Sequence, residues 1–181
     1  IIKKGILSIK LTDQNDNKKF TIENLKKGDL AGVDQIIGQS NYSDIIASTK
    51  VEGYFLEKKF FLELINKNFQ TIESYIKFSK YELYCSISFF LFGKIQKSYE
   101  IFNILNSSSF DLKTVTLTPG INNLKSNFGT YIFSSGNIEG LNIGDTIEGP
   151  KSLNVLGDLP AKLIKSEELY NLKNIDESKI S

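Results

Sequence analysis

This chain of 181 residues contains no histidine, arginine, methionine or tryptophan, a single cysteine and three prolines. Each absence removes a class of chemistry. Without histidine there is no imidazole to serve as general base, as the partner of a nucleophile, or as the commonest ligand of a catalytic transition metal. Cys85 therefore lacks the usual base that would lower its pKa, and its apolar surroundings point to a buried, inert thiol in a reducing compartment; cysteine peptidase chemistry is excluded for this segment. Without arginine, all positive charge is lysine, a hydrated point charge that lacks the planar fork used to grip phosphate or guanine. The formal charge of +1 supplies no field to gather nucleic acid or an anionic membrane surface. No G-x-x-x-x-G-K-[ST] loop and no metal-ligating cluster occur, so neither an ATPase, a cofactor nor a metal site is expected here. The longest apolar stretch, Tyr81 to Phe92, falls short of the roughly 20 residues that span a bilayer as a helix. No leader pattern opens the chain, and Ile1-Ile2-Lys3-Lys4 runs directly into strand alternation, as an internal fragment would.

What is present is a β–α–β order. Gly5 to Leu11 and Phe20 to Leu25 alternate around the turn cluster Gln14-Asn15-Asp16-Asn17, which predicts a β-hairpin. Gly28-Asp29 marks a turn, and Val33 to Ile37 closed by Gly38 predicts a short helix. Asp44 to Ser48 and Val51 to Leu56 predict short strands. The period then becomes helical: Phe60, Phe61, Leu64 and Ile65 share one face, and Phe69, Ile72, Tyr75 and Ile76 another. Tyr81 to Leu105 reads as continuous helix, so rich in aromatics that it must bury more than one face. Phe89, Phe90 and Phe92 are candidate interface residues on it. After the polar cluster Asn106 to Ser109 the chain becomes β again, with turns at Pro119-Gly120 and Asn122-Asn123 and a strand over Thr130 to Phe133. Gly28-Asp29 and Gly144-Asp145 are candidates for equivalent turns in a degenerate repeat. Lys162 is expected as a solvated lysine on a strand.

Four stretches carry a resemblance. Lys3 to Leu7, Gly28-Asp29-Leu30-Ala31-Gly32, Ile45 to Ser48 and Phe55-Leu56 before Phe60-Phe61-Leu62 resemble the phosphate-binding cassette and flanking strands of a cyclic-nucleotide-binding domain. The resemblance implies an α+β, mainly β chain: an antiparallel jelly-roll over 1–57 lacking its first strands, a helical segment over 58–106 and a second, smaller β unit over 110–172. Gly32 through Ile37, Tyr42 to Ser48, Phe60-Phe61-Leu62, Glu82-Leu83-Tyr84 and Tyr131 to Ile164 also resemble the N-terminal region of cyanobacterial ABC exporters of toxins and bacteriocin-like peptides. This implies a cytoplasmic regulatory region, tethered to the inner membrane through a parent transporter, whose partners are other domains of that exporter or a second copy of itself.

The cassette departs from the family where the ligand is held. Gly32 is followed by Val33 rather than the glutamate that bonds the ribose, with Asp34 and Gln35 next. Asn41 stands where the phosphate-binding arginine belongs; it can donate a hydrogen bond but cannot neutralise a phosphate. Gly32, Val33, Asp34, Gln35, Asn41 and Ser43 thus outline a degenerate ligand pocket, and a non-catalytic regulatory or interaction module is the expectation. The alternative is a small-ligand sensor that holds a cyclic nucleotide or another anion on backbone amides of the cassette.

Overall fold

The structure is a computed structural model describing residues 1–32, 42–67, 80–107, 113–125, 129–165 and 167–178. These form two compact units, residues 1–13 with 17–81 and residues 14–16 with 82–181. Every strand pairing is antiparallel. The class is α+β and mainly β, with open antiparallel sheets and no closed barrel among the described residues.

In the first unit, β1 (Ile2–Lys4), β2 (Leu7–Thr12), β3 (Lys19–Leu25), β4 (Ser43–Ala47) and β5 (Glu52–Gly53) precede α1 (Lys58–Lys67). The hairpin predicted around residues 14–17 is β2–β3, and β4 joins β2 on its other edge to give the order β3-β2-β4; β1 pairs with β5. Alternation accounts for the burial of Ile9 with Leu11 and of Phe20 with Ile22, and the register shift between Ile9 and Lys10, which makes Ile22 an extra residue in β3, lets Leu25 be buried as well. The strand expected over Val51 to Leu56 is shorter, reaching only Glu52–Gly53. On α1 the apolar face is not wholly covered: Phe61 is buried while Phe60 and Leu64 are exposed. The helix expected at Val33 to Ile37 and the face Phe69, Ile72, Tyr75 and Ile76 lie outside the described residues.

In the second unit, α2 (Lys80–Phe92) enters from the first unit and is followed by α3 (Tyr99–Asn106), β6 (Lys113–Leu117), β7 (Gly120–Leu124), β8 (Thr130–Ser135), β9 (Thr146–Glu148), β10 (Lys151–Val155), β11 (Ala161–Lys165) and α4 (Glu167–Ser178). A four-stranded sheet β6-β11-β8-β9 and a pair β10-β7 share one core of Leu117, Leu124, Tyr131, Phe133, Ile138, Ile147, Leu153, Val155, Ala161 and Leu163. Two expectations are corrected. The helix over Tyr81 to Leu105 breaks at 93–98: Gly93 ends α2, and the Ser98 side chain accepts from the Ile101 amide to cap α3. Asn122-Asn123 is not a turn; both residues pair with β10, and the Asn122 amide donates to the carbonyls of Thr118 and Gly120, taking up the turn polarity locally.

The two units repeat one framework. In the first, the Ile2 amide donates to the Asp29 carbonyl at 3.0 Å and the Gly28 amide donates to the Ile2 carbonyl at 2.9 Å. In the second, Phe133, Asp145 and Gly144 make the same two bonds, each at 2.8 Å. Both turns are closed by their aspartate: the Asp29 carboxylate accepts from the Lys26 amide at 2.7 Å, and the Asp145 carboxylate from the Asn142 amide at 2.8 Å. Three residues beyond Ile2 and Phe133 stand Gly5 and Gly136, at φ 94° and 98°. A Cβ at Gly5 would lie 2.3 Å from the Lys50 carbonyl oxygen, and one at Gly136 would lie 2.6 Å from Ala161 Cα, so both positions require glycine for the same reason. The Ser48 amide donates to Ile6 as the Leu156 amide does to Asn137. Ile2↔Gly53 and Lys4↔Glu52 match Phe133↔Leu163 and Ser135↔Lys162, with the same break in register. The equivalence expected for the two Gly-Asp turns therefore extends over β1, β4 and β5 against β8, β10 and β11.

Candidate functional site

The cassette residues follow the first Gly-Asp turn. Eighteen residues separate Asp29 from Ser48, enough for a helix and its connections, whereas ten separate Asp145 from Leu156. Those ten are β9, Gly149-Pro150 and β10, all extended or turn and none helical. The second unit thus has no amide-presenting helix between its equivalent positions, and only the first unit has room for a cassette.

Of the residues assigned to the degenerate pocket, Gly32 is half-buried with a positive φ of 85° and nothing within 4 Å of where a Cβ would stand. Ser43 is the first residue of β4, opposite Leu11 of β2. Val33, Asp34, Gln35 and Asn41 lie outside the described residues. Asp29 closes the turn, and the Glu23 carboxyl, on β3, is pushed up by burial, a shift countered by the Lys80 charge and reinforced by Asp29. Asp44 is engaged by Lys19 at 2.9 Å in an exposed pair. The chain has no arginine to hold a phosphate by a charge-assisted fork. Beneath β4, the Ser8 hydroxyl donates to the Asn24 side chain at 2.7 Å and shares a short hydrogen bond with Ser48. This trio was not foreseen: Ser8 lies on the strand face opposite Ile9 and Leu11, together with Lys10 and Thr12, where the sequence predicts an ordinary polar side.

The residues assigned to an interface lie on α2. Phe90 is 4% exposed, meets the Tyr170 ring edge-on at 5.2 Å and lies under the Lys173 ammonium at 4.7 Å, so it is taken up within the second unit. Phe89 and Phe92 are half-buried. Gly144 brings its turn so close to α2 that an added Cβ would lie 2.5 Å from Phe89 Cβ. The burial of α2 on more than one face has a polar component as well. Tyr84 accepts the Ser98 amide and donates to the Gln96 carbonyl, while Ser86 receives the Ser134 hydroxyl at 3.1 Å.

Lys162 is the clearest departure from expectation. It is buried, not solvated, with its ammonium 3.6 Å from a Glu82 carboxylate oxygen and side chains 7% and 3% exposed. The reason is tertiary: β11 is an interior strand of its sheet, and α2 covers the face that residue 162 presents. Burial holds the Lys162 ammonium below its ordinary pKa, while the charge of Glu82 and its hydrogen bond oppose that shift. Serines 134 and 135 are buried beside this pair on β8. Cys85 is buried, as expected. Among the described residues no cluster of three His, Cys, Asp or Glu could hold a metal ion, and no described helix is long and apolar enough to cross a membrane.

No family model matches the chain, and no curated protein does. Among solved structures, the chain is similar to the regulatory domain of Toxoplasma gondii PKA, crystallised with cAMP: 13% identity, TM-score 0.34, covering 99% of this chain and 76% of that one. At that TM-score the likeness adds nothing to the internal comparison of the two units.

Proposed function

We propose that the chain is a non-catalytic regulatory or protein-interaction module with a degenerate cyclic-nucleotide-type pocket. One observation carries the reading: the chain has no arginine to neutralise a cyclic phosphate, and Asn41 stands where the resemblance would place it. A cyclic phosphate is held by charge-assisted hydrogen bonds, and forfeiting them once the anion is desolvated costs several kcal/mol. The second unit supports the reading independently, since its ten-residue connection has no helix N-terminus to present. In this proposal the module belongs to the N-terminal cytoplasmic region of an ABC-type peptide or toxin exporter and acts on neighbouring domains or on a second copy of itself. That placement rests on the sequence resemblance.

Isothermal titration of the full chain with cyclic AMP and cyclic GMP tests the degenerate pocket. The expected result is no saturable heat at millimolar nucleotide. Saturable binding at micromolar concentration overturns the proposal in favour of a sensor that uses the cassette amides.

A further inference from the structure

The formal charge of +1 conceals an uneven division. The first unit carries 13 lysines against nine aspartates and glutamates, whereas the second carries nine lysines against twelve. Exposed apolar side chains divide in the same way. Of the twelve large ones among the described residues, nine belong to the first unit, and Tyr54, Phe55, Leu56, Phe60 and Leu64 all fall within residues 54–64. Phe55 is 90% exposed, in a segment where burial of a phenylalanine is the rule.

The backbone explains why these side chains stand out. β5 ends at Gly53 and α1 begins at Lys58, with the Phe61 amide donating to the Glu57 carbonyl at 3.1 Å. Phe61 is the buried anchor of α1, while Phe60 and Leu64, four residues apart, form a ridge on its exposed side. Lysines stand on every segment tied to this one. Lys58 and Lys59 open α1, and Lys3 and Lys4 lie on β1, which pairs with β5. Lys26 and Lys27 precede the Gly28 turn, whose amide donates to the Ile2 carbonyl, and the Lys50 carbonyl lies against Gly5. These seven lysines are all exposed and outnumber the four exposed carboxylates of the same segments, Asp29, Glu52, Glu57 and Glu63.

We infer that this face of the first unit rests on an anionic lipid surface, with Phe55, Phe60 and Leu64 entering the headgroup layer and the lysines lying against its phosphates. The residue types select lipid over a protein partner. Lysine is depleted from protein interfaces, whereas faces that lie in a membrane interface combine Lys with Phe, Tyr and Leu. The absence of arginine is no obstacle here, because attraction to a charged headgroup layer needs point charges and not a bidentate fork. The inference does not depend on the function proposed above, since it concerns neither the cassette nor a parent transporter.

The test is flotation of the full chain with vesicles of phosphatidylcholine containing about one third phosphatidylglycerol, beside vesicles of phosphatidylcholine alone. Binding to the anionic vesicles is expected, at least about tenfold weaker on the neutral ones or in about 0.5 M salt. Phe55→Ser combined with Phe60→Ser should weaken it at least about tenfold without changing thermal unfolding, because both side chains are exposed. Ile121→Ser, at a residue of the second unit that is 74% exposed, should leave binding unchanged. No flotation at millimolar anionic lipid, equal binding to both vesicles, or binding that the double variant does not weaken overturns the inference. Self-association without lipid that the double variant abolishes, read by sedimentation, also overturns it, because a second copy then covers the face.

Discussion

The two units share a turn, a glycine contact and a strand register, yet among the described residues they finish their sheets differently. In the second unit the equivalent of β4 and β5 is covered by β6 and β7, and the position equivalent to Tyr54 is the fully buried Ile164. Conversely the first unit spends 22 residues between Gly5 and Gly28, including the β2–β3 hairpin, where the second spends seven between Gly136 and Gly144. What is preserved is the set of contacts that fixes backbone direction. What varies is how each sheet is finished. A framework held by backbone hydrogen bonds and close glycine packing tolerates insertions and deletions between its fixed points, because loop closure costs grow only slowly with length.

The comparison can be broken most sharply at residue 162. Lys162 and Glu52 occupy equivalent register positions, yet Lys162 is buried with Glu82 and Glu52 is exposed. Lys162→Ala, which leaves the Glu82 carboxylate buried without its lysine, is expected to lower stability by about 3–5 kcal/mol, whereas Glu52→Ala stays within about 0.5 kcal/mol; urea unfolding monitored by circular dichroism reads both. A replacement of the pair by Glu82→Leu with Lys162→Met should recover most of the loss. Comparable costs at 162 and 52 would mean that the buried pair contributes nothing beyond an ordinary surface residue.

The glycine contacts test the equivalence itself. Gly5→Ala and Gly136→Ala each force a Cβ into backbone at positive φ and are expected to cost about 2–4 kcal/mol apiece. Thermal unfolding curves should show both losses, and a neutral substitution at either site would break the repeat at that point.

Smaller effects come from the turn aspartates. Asp29→Ala and Asp145→Ala each remove a carboxylate acceptor from a backbone amide, for which a loss of about 1 kcal/mol is expected in each unit. Asn in place of Asp should retain most of it, since its side-chain oxygen can accept the same bond.

The effect confined to the narrowest conditions is an alkaline pH dependence in the second unit. Burial, reinforced by the charge of Glu148, pushes the Tyr170 phenol up to about 12. The folded state therefore keeps its proton where the unfolded chain, titrating near 10, has released it, so this group's contribution to stability falls as pH rises between those two values. Lys162 acts in the opposite sense: its lowered pKa makes folding more favourable as pH rises toward the ordinary lysine value. Tyr170→Phe should flatten the loss above pH 10 while leaving neutral stability nearly unchanged, as followed by thermal melts across that range. An unchanged profile would remove Tyr170 from the account.

Much of this architecture was open to sequence reasoning because it rests on local signals. The β2–β3 hairpin follows from alternation around a polar turn cluster, and Cys85 from its apolar neighbours. Gly28-Asp29 and Gly144-Asp145 could be matched as turns because an aspartate after glycine closes such a turn with its own side chain. The break of helix at Gly93 was masked by apolar residues on both sides, which satisfy a helical period without revealing that Tyr84 and Ser88 fold the intervening 94–98 segment back on α2. For the candidate pocket, the residue types of Gly32 and Ser43 were readable, but the effect of Asp29 on the buried Glu23 carboxyl was not, since the two come close only when β3 leads into the turn.

By itself, the sequence determined the alternation of β and α, the absence of histidine and arginine chemistry, and the two Gly-Asp turns, all properties of neighbours a few residues apart. Only the tertiary structure decided that Lys162 is buried, that Gly5 and Gly136 must be glycine, and that β6 and β7 cover β11 and β10. The physical reason is distance along the chain. Glu82 and Lys162, Gly5 and Lys50, and β10 and β7 are brought together by folding across tens of residues, where no local periodicity records which groups will meet.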